Sequence, residues 1–279
     1  MSANPKRIQK RAGANGIALF FRGAALAVVA CLAAALAAGA EIPAIPSIGL
    51  GNGETLTYSV RWGFIPSVGR IKITADAVGS GPSAVMRVTT TTATWGIARG
   101  IFAFDGQGES VYNASSGLLL SISESSAYKD KQTKDNIVFN YGKMTAEFTD
   151  SVHPEKSHQL KMPEGDPSDL ILALIRTRYW DLQPGQQRDD LVIFKDQFYP
   201  LTIRAEPDID YVISTMGVFK AVVLVPRMEK TPPMGMFKNG STVRVWIETN
   251  DARRLPVRFE VGFRFGTGTA TLINYLPPK

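Results

Sequence analysis

The chain has 279 residues, with 31 lysines and arginines against 25 aspartates and glutamates, and a single cysteine. The cysteine, Cys31, and five of the basic residues lie in the first forty positions, so residues 41–279 carry 26 basic and 25 acidic side chains and no cysteine. This composition excludes a disulfide-stabilised scaffold, and its near-zero net charge gives no support for a nucleic-acid partner.

The first forty residues have the features of a cleavable export signal. Basic residues precede an Ala-rich apolar run over residues 23–38, which ends in Ala38-Gly39-Ala40. Signal peptidase accepts small side chains at the two positions that flank such a glycine. We therefore expect cleavage after Ala40, a periplasmic location and no membrane span in the mature chain. An uncleaved anchor over residues 23–40 and a lipoprotein processed at Cys31 are the two alternatives.

Strand patterns begin after a Pro-rich, extended lead-in over residues 41–52. Leu56, Tyr58 and Val60 alternate with polar residues, the period of two that is typical of a half-buried strand. The β-branched run Thr89–Thr92 also favours a sheet. Further strand-like runs follow to the end of a single β-rich domain over residues 53–279, at 104–112, 118–126, 136–141, 144–148, 191–194, 199–204, 210–215, 219–225, 243–248, 255–265 and 269–275.

Short turns rich in Asn, Asp and Gly separate these runs at the spacing of hairpins. Examples are Asn239-Gly240, Asn250-Asp251 and Gly266-Thr267-Gly268, whose residues tolerate the left-handed backbone of tight turns. A flat sheet of more than a dozen strands would be unusual. The pattern therefore predicts a mainly β fold with a large curved antiparallel sheet, built as a barrel, a half-barrel or a sandwich.

One segment has the period of a helix instead. Asp166 is suited to cap it, Pro167 suits its first turn, and Pro184-Gly185 would stop it. We expect one amphipathic helix that packs over a mouth or over the concave face of the sheet. Its predicted apolar face consists of Leu170, Ile171, Leu174 and Ile175.

The sequence contains no set of residues that predicts catalysis. His153 and His158 lie five positions apart in a polar segment without the further ligands that a metal site needs, so we interpret them as solvated loop residues. No Gly-x-Ser-x-Gly motif is present. We therefore expect no cofactor and no metal, and a hydrolase would require one histidine to meet an acid and a nucleophile in a cleft.

Two apolar segments and two smaller groups are the candidates for ligand contact. The segments over residues 62–66 and 95–103 are flanked by strands, so we expect them to fold into the core; if exposed, they would touch a membrane or border a lipid-binding mouth. The methionines after Pro233 fill a gap or line a permissive pocket more readily than they bind copper. The arginines that end the helix suit an anionic head group, although the helix dipole alone would favour them there. The candidate residues are Trp62, Phe64, Trp95, Phe102, Arg176, Arg178, Met234 and Met236.

Six short stretches carry a family resemblance through their order and spacing: Gly53–Tyr58, Val68–Ile71, Asp169–Arg176, Thr215–Phe219, Val245–Ile247 and Asp251–Val257. Together they resemble the bacterial domain-of-unknown-function 3108 family of envelope proteins. The resemblance implies an exported β-rich fold and brings no catalytic residues. The strand pair around Trp246 and Asp251 is also similar to the closing hairpin of envelope lipid-carrying half-barrels.

These observations lead to one hypothesis and two alternatives. The hypothesis is an envelope protein without enzymatic activity, in which the curved sheet and the helix enclose a groove for a lipid or another hydrophobic ligand. The first alternative is a scaffold domain that contacts a protein partner in the envelope through an exposed edge or loop. The second is a hydrolase.

Overall fold

The computed structural model describes residues 48–101, 103–128, 131–233, 235–264 and 266–279. The predicted signal and most of the lead-in lie outside the described residues, so cleavage after Ala40, retention as an anchor and lipidation at Cys31 stay predictions. Among the described residues, no helix has the length and apolar character needed to cross a membrane.

Eight strands form the first half of the described chain, each antiparallel to the next. A short helix, α1 (Gly96–Ile101), connects the third strand to the fourth. The strands are β1 (Thr55–Trp62), β2 (Ile65–Val78), β3 (Val85–Thr94), β4 (Phe104–Asn113), β5 (Leu119–Tyr128), β6 (Lys131–Asn140), β7 (Thr145–Asp150) and β8 (His158–Lys161).

The second half contains the longer helix, α2 (Leu170–Arg176), which continues as a 3-10 turn over Thr177–Tyr179. Further 3-10 turns span Gly81–Ser83, Pro154–Lys156 and Gly235–Phe237. The strands of this half are β9 (Ser168–Asp169), β10 (Gln187–Phe194), β11 (Gln197–Ser214), β12 (Gly217–Arg227), β13 (Thr242–Glu248), β14 (Pro256–Phe263) and β15 (Gly266–Leu276).

All fifteen strands of the described chain belong to one sheet. Its order is β8 to β1 followed by β15 to β9, so the first and last strands of the domain are neighbours. Every neighbouring pair is antiparallel except β9 and β10. The prediction of a large curved antiparallel sheet is confirmed, and the sheet stays open between its edge strands β8 and β9.

Side chains that alternate along the first eight strands build one core on the concave face of the sheet. Tyr112 on β4, Ile122 on β5, Ile137 on β6 and Phe148 on β7 are all buried there. Because their strands are consecutive neighbours, these residues form a continuous apolar surface. Helix α2 packs against this surface.

The later strands bury both of their faces. On β12, Ala221 and Val223 belong to the first core, whereas Val222 and Leu224 belong to a second one. Helix α2 lies between the two cores, which explains why it is apolar around most of its circumference. It contributes Leu172 and Ile175 to the first core and Leu170, Ala173 and Leu174 to the second.

The predicted start of the helix was wrong by three residues. Asp169, not Asp166, is the N-cap, and its Oδ1 accepts the backbone N–H of Leu172 at 2.9 Å. The residues before α2 pair with β10 as β9, because Ser168 lies opposite Val192 in the sheet. The 3-10 turn then ends the helical backbone before the predicted stop at Pro184-Gly185.

Two strand predictions also need correction. The runs over residues 199–204 and 210–215 are halves of one long strand, β11, which bends at a bulge between Ala205 and Ile209. His158 begins the edge strand β8 and does not lie in a loop. A bulge lets a strand turn without ending, and a short polar edge strand carries little hydrophobic pattern.

Candidate functional site

A groove runs along the concave face of β3 to β7 beside α2. We call it the concave groove. It consists of two cavities of about 210 and 250 Å³ that share Ile122, Glu124, Asp169 and Ile171. Either cavity alone is smaller than a typical small-molecule pocket of roughly 300–1,000 Å³, so a ligand of that size would have to occupy both.

The inner cavity lies between β5 to β7 and the first turn of α2, and apolar side chains form most of its wall. Met236, one of the predicted ligand-binding residues, reaches it from the 3-10 turn after β12. The other apolar side chains that line it are Ile122, Ile137, Phe148, Leu170, Ile171, Ile193 and Phe194.

The outer cavity extends toward the end of β3 and the start of β4, where the lining changes to small and hydroxyl-bearing residues. A Cβ added to Gly108 would meet only the Cγ of Glu124, at 4.0 Å, so the space above this glycine is free. The small and hydroxyl-bearing residues that line the outer cavity include Thr90, Thr92, Gly106, Gly108, Ser126 and Thr133. The outer cavity is therefore the more polar of the two, although apolar side chains such as Phe104 and Leu172 also line it.

Two carboxylates lie side by side on one wall of the groove. Glu124 on β5 is the direct neighbour of Asp135 on β6. Glu124 is exposed to solvent on one side, but the surrounding strands partly desolvate it and thereby raise its pKa; the negative charges of Asp169 and Asp135 raise it further, while Lys195 opposes them. The pKa of Asp135 is also raised, first by burial. A positively charged or hydrogen-bond-donating group would be favoured between them.

Asp169 fixes α2 against the floor of the groove. Its Oδ2 accepts a hydrogen bond of 2.6 Å from the Tyr112 hydroxyl on β4, and its Oδ1 caps the helix. Both oxygens are thus engaged within the protein, so we assign Asp169 a positioning role.

Arg176 lies in a different pocket, an open and polar one of about 740 Å³ on the other side of α2. Its Nη2 is 2.6 Å from Oδ1 of Asp190, while Oδ2 of Asp190 is buried and has no hydrogen-bond partner among the described residues. Burial raises the pKa of Asp190, and Arg176 opposes this rise. The guanidinium of Arg188 stacks over Trp180 at 4.6 Å in the same wall.

Arg178 is buried in an ion pair that ties α2 to the start of the sheet. Its Nη1 lies 2.7 Å from Oε1 of Glu54, and its Nε donates to the carbonyl of Arg253 at 2.9 Å. The second carboxylate oxygen of Glu54 accepts the backbone N–H of Gly51. These contacts explain the position of Arg178 without a ligand, and we leave it out of the candidate site.

The expectation that the two apolar segments fold into the core was wrong. Phe64 at the tip of the β1–β2 hairpin is 96% exposed, and Trp95 before α1 is 57% exposed. Trp62 is half-buried and stacks on Phe263 with ring centroids 6.0 Å apart. These residues lie at one end of the sheet and do not line the concave groove. The predicted contacts Phe102 and Met234 lie outside the described residues.

The histidines do not form a catalytic arrangement with a hydroxyl group in the described part of the chain. His153 lies 3.6 Å from Glu155, and His158 lies 3.9 Å from Asp196 with its Nδ1 against the carbonyl of Lys156. Within the described ranges, no three His, Cys, Asp or Glu side chains are arranged to hold a metal ion.

Sequence reasoning missed most residues of the concave groove. Gly106 and Gly108 lie two apart inside β4 with side-chain positions toward the groove, and neither was among the predicted ligand-binding residues. Glycines within a strand mark places where another group approaches closely, which was the available signal. Nothing in the local pattern identified Glu124 and Asp135 as neighbours, because their strand pairing is known only from the fold.

Comparisons with known proteins give one matching family and several distantly similar structures. A β-barrel-like protein of domain of unknown function DUF1849 from Brucella abortus has a TM-score of 0.49 at 9% identity, covering 82% of this chain and 99% of its own. A DUF1089 family protein from Pseudomonas aeruginosa has a TM-score of 0.35 at 9% identity, covering 69% of this chain and 89% of its own. No curated protein matches the chain. The family described as protein of unknown function DUF3108 matches residues 57–273, and the chain therefore belongs to this family.

Proposed function

We propose that the protein binds an elongated amphiphile, a lipid or a comparable apolar ligand, in the concave groove. The observation that carries this proposal is the change in lining along the groove, from Ile137, Phe148 and Met236 at the inner end to threonines, serines and glycines at the outer end. An apolar chain would occupy the inner cavity, and its polar end would meet the hydroxyl groups of the outer one.

Exposed apolar surface inside the sheet supports a ligand. Ile171 lies on α2 between the buried residues Leu170 and Leu172, yet it is 37% exposed and lines both cavities. Covering this side chain and the neighbouring Ile122 with hydrocarbon would remove apolar area from water, at about 25 cal/mol for each Å² buried. The helix thus presents an apolar residue to a space that the protein itself leaves open.

The charges inside the groove restrict the polar end of the ligand. Glu124 and Asp135 lie side by side without an ion-pair partner among the described residues, and Lys195 is the nearby cation at the inner end. A ligand with hydroxyl groups or a cationic head would be favoured over one with a bare anionic head at this position. We therefore propose a neutral or cationic amphiphile.

The proposed place of action is the bacterial envelope. The export signal expected over residues 1–40 supports this location, with residues 41–52 as a lead-in and residues 53–279 as the domain. Intact-mass measurement of the protein from its own cells tests it: a product that begins near Glu41 supports export with cleavage, and a product that retains the signal contradicts it.

Native mass spectrometry of the purified protein, followed by organic extraction, tests the ligand directly. We expect a co-purifying amphiphile that is released when the protein unfolds. Protein that is repeatedly purified without any bound lipid, and that takes none up from a lipid extract, would contradict the proposal.

A second candidate function is a protein contact in envelope assembly. The β11–β12 hairpin carries an exposed apolar stripe on its tip, with Tyr211, Ile213 and Val218 each more than 60% exposed, and such patches mark interaction sites. Cross-linking in cells from position 213 tests it. A reproducible protein partner supports this function, and cross-links to lipid or to nothing contradict it.

A further inference from the structure

A separate apolar surface lies at the end of the sheet where β1 turns into β2 and where α1 follows β3. We call it the apolar rim and define it as Phe64, Ile65, Trp95, Ile97 and Ile101. Phe64, Ile97 and Ile101 are 96%, 88% and 79% exposed. Large apolar side chains exposed to this degree in one cluster are uncommon on proteins that contact only water.

The members of the apolar rim lie close together because β2 and β3 are paired. Gly69 lies opposite Thr94, and the backbone N–H of Trp95 donates to the carbonyl of Val68 at 2.8 Å. Val68 is three residues from Ile65, or about 10 Å along an extended strand. The hairpin tip and α1 therefore present one surface.

The backbone conformation keeps the apolar rim from folding back onto the sheet. Gly63 and Gly96, which introduce the hairpin tip and α1, adopt φ angles of 55° and 56°. A Cβ placed on Gly63, Gly96 or Gly100 would meet no other atom within 4 Å. The two segments project into open space and are not folded back on the sheet.

Basic side chains surround the apolar rim without acidic partners. Arg61 and Arg70 flank the hairpin, and Arg264 lies in the neighbouring β14–β15 turn; none of the three forms an ion pair with any described residue. The guanidinium of Arg70 stacks over Trp95 at 5.1 Å. The carboxylate beside α1, Asp105, is neutralised by a bidentate pair with Arg99 at 2.9 and 2.8 Å. The four arginines and one aspartate named here together carry a net charge of +3.

We propose that the apolar rim inserts into the interfacial layer of an anionic membrane, where Arg61, Arg70 and Arg264 bind the phosphate groups of lipids. Aromatic residues such as Trp95 favour the head-group level, and Phe64 and Ile97 would lie deeper, against the acyl chains. Each arginine near an anionic surface adds electrostatic attraction that falls with salt. An apolar protein partner would not require three unpaired cations around the patch, so a lipid surface fits both features.

The position of the concave groove agrees with this contact. Its outer cavity is lined by Thr92 near the end of β3 and by Phe104 at the start of β4, the two strands that α1 connects. A rim held at the membrane would bring the polar end of the groove to the lipid surface. The membrane contact itself is independent of whether the groove binds a ligand.

A local fluorescence measurement tests the proposal on the full chain. Cys31→Ser removes the one native thiol, and an environment-sensitive dye is then attached to Phe64→Cys, Ile97→Cys or Ile213→Cys. Position 213 is a matched control, since it is 73% exposed and lies in the β11–β12 hairpin at the opposite end of the sheet. The basic N-terminal segment would attach all three proteins to vesicles equally, so the local environment of the dye is the decisive readout.

With vesicles of phosphatidylcholine containing about a quarter phosphatidylglycerol, we expect a blue shift and quenching by spin-labelled lipid at positions 64 and 97 and neither effect at 213. Adding Arg61→Gln and Arg70→Gln to the protein labelled at position 97 should weaken the apparent affinity about tenfold at low salt. Equal signals at all three positions, no signal at 64 and 97, or an affinity unchanged by the arginine substitutions would overturn the proposal. Circular dichroism and a cooperative urea-unfolding transition verify that each variant is folded.

Discussion

Two charged residues near α2 illustrate how burial decides a side chain's role. The sequence places Arg176 and Arg178 together at the end of a helix and predicts the same role for both. The fold separates them: Arg176 borders an open pocket, whereas Arg178 meets Glu54, which lies 124 positions earlier in the chain. A contact of this sequence separation leaves no local signal, so the role of Arg178 could not be predicted from its neighbours.

The buried ion pair predicts a large effect of substitution at Arg178. Arg178→Met leaves the Glu54 carboxylate buried without its partner, which should lower the free energy of unfolding by about 3–5 kcal/mol. Urea denaturation measures this change. The control is Arg204→Met, which removes an exposed pair with Glu229 at 3.9 Å and should cost at most about 1 kcal/mol. Equal, small effects of both substitutions would contradict the structural role of Arg178.

We expect the stability of the folded protein to depend on pH through the ionisation of Glu124. Because its pKa is raised in the folded state, the neutral form favours folding, and stability falls as the pH rises through the interval between the unfolded and folded pKa values. Glu124→Gln removes this dependence, so the stability of the variant relative to the native protein should increase as the pH rises from about 4, where a free glutamate titrates, toward neutrality. Urea denaturation across this range measures it, with Glu147→Gln on the exposed face of β7 as control. A difference between Glu124→Gln and the native protein that does not change with pH would contradict the assignment.

At the scale of elements, the sequence patterns predicted well which segments form strands. They predicted less well at which residue a helix starts and whether a loop is buried or exposed. Asp166 and Asp169 are both good cap residues, and contacts with Tyr112 and with β10 select the second. The apolar segments around Phe64 and Trp95 are flanked by strands in sequence, which suggested burial. They are exposed because their strands end at one end of the sheet, where none of the other described elements covers them.

The N-cap of α2 predicts a measurable contribution to stability. Asp169→Ala removes the acceptor for the Leu172 N–H and leaves the Tyr112 hydroxyl without its 2.6 Å partner. The expected loss is about 2 kcal/mol in the free energy of unfolding. Asp169→Asn retains an acceptor for the cap and should lose about half as much. Chemical denaturation of both variants measures these losses. A loss for Asp169→Ala no larger than that for Asp169→Asn would contradict the assigned capping role of Asp169.

At the scale of the whole molecule, alternation and turn residues predicted nearly every strand and the curved antiparallel sheet. They could not predict that β1 pairs with β15, because this pairing joins residues at the two ends of the domain. The concave groove depends on the pairing of β1 with β15 and on the position of α2 between the two cores. Of the eight predicted ligand-binding residues, Met236 lines the groove, whereas Phe64 and Trp95 belong to the apolar rim and Trp62 lies beside it at the same end of the sheet.

The most direct test of the account fills the groove without disturbing the fold. Gly108→Phe places a ring in the free space above β4, whereas Val138→Phe places the same ring on the exposed outer face of β6. Titration with a fluorescent naphthylamine probe should show at least about a tenfold weaker affinity for Gly108→Phe and an unchanged affinity for Val138→Phe. Equal binding of the probe by both variants would contradict the proposal that the concave groove is the ligand site.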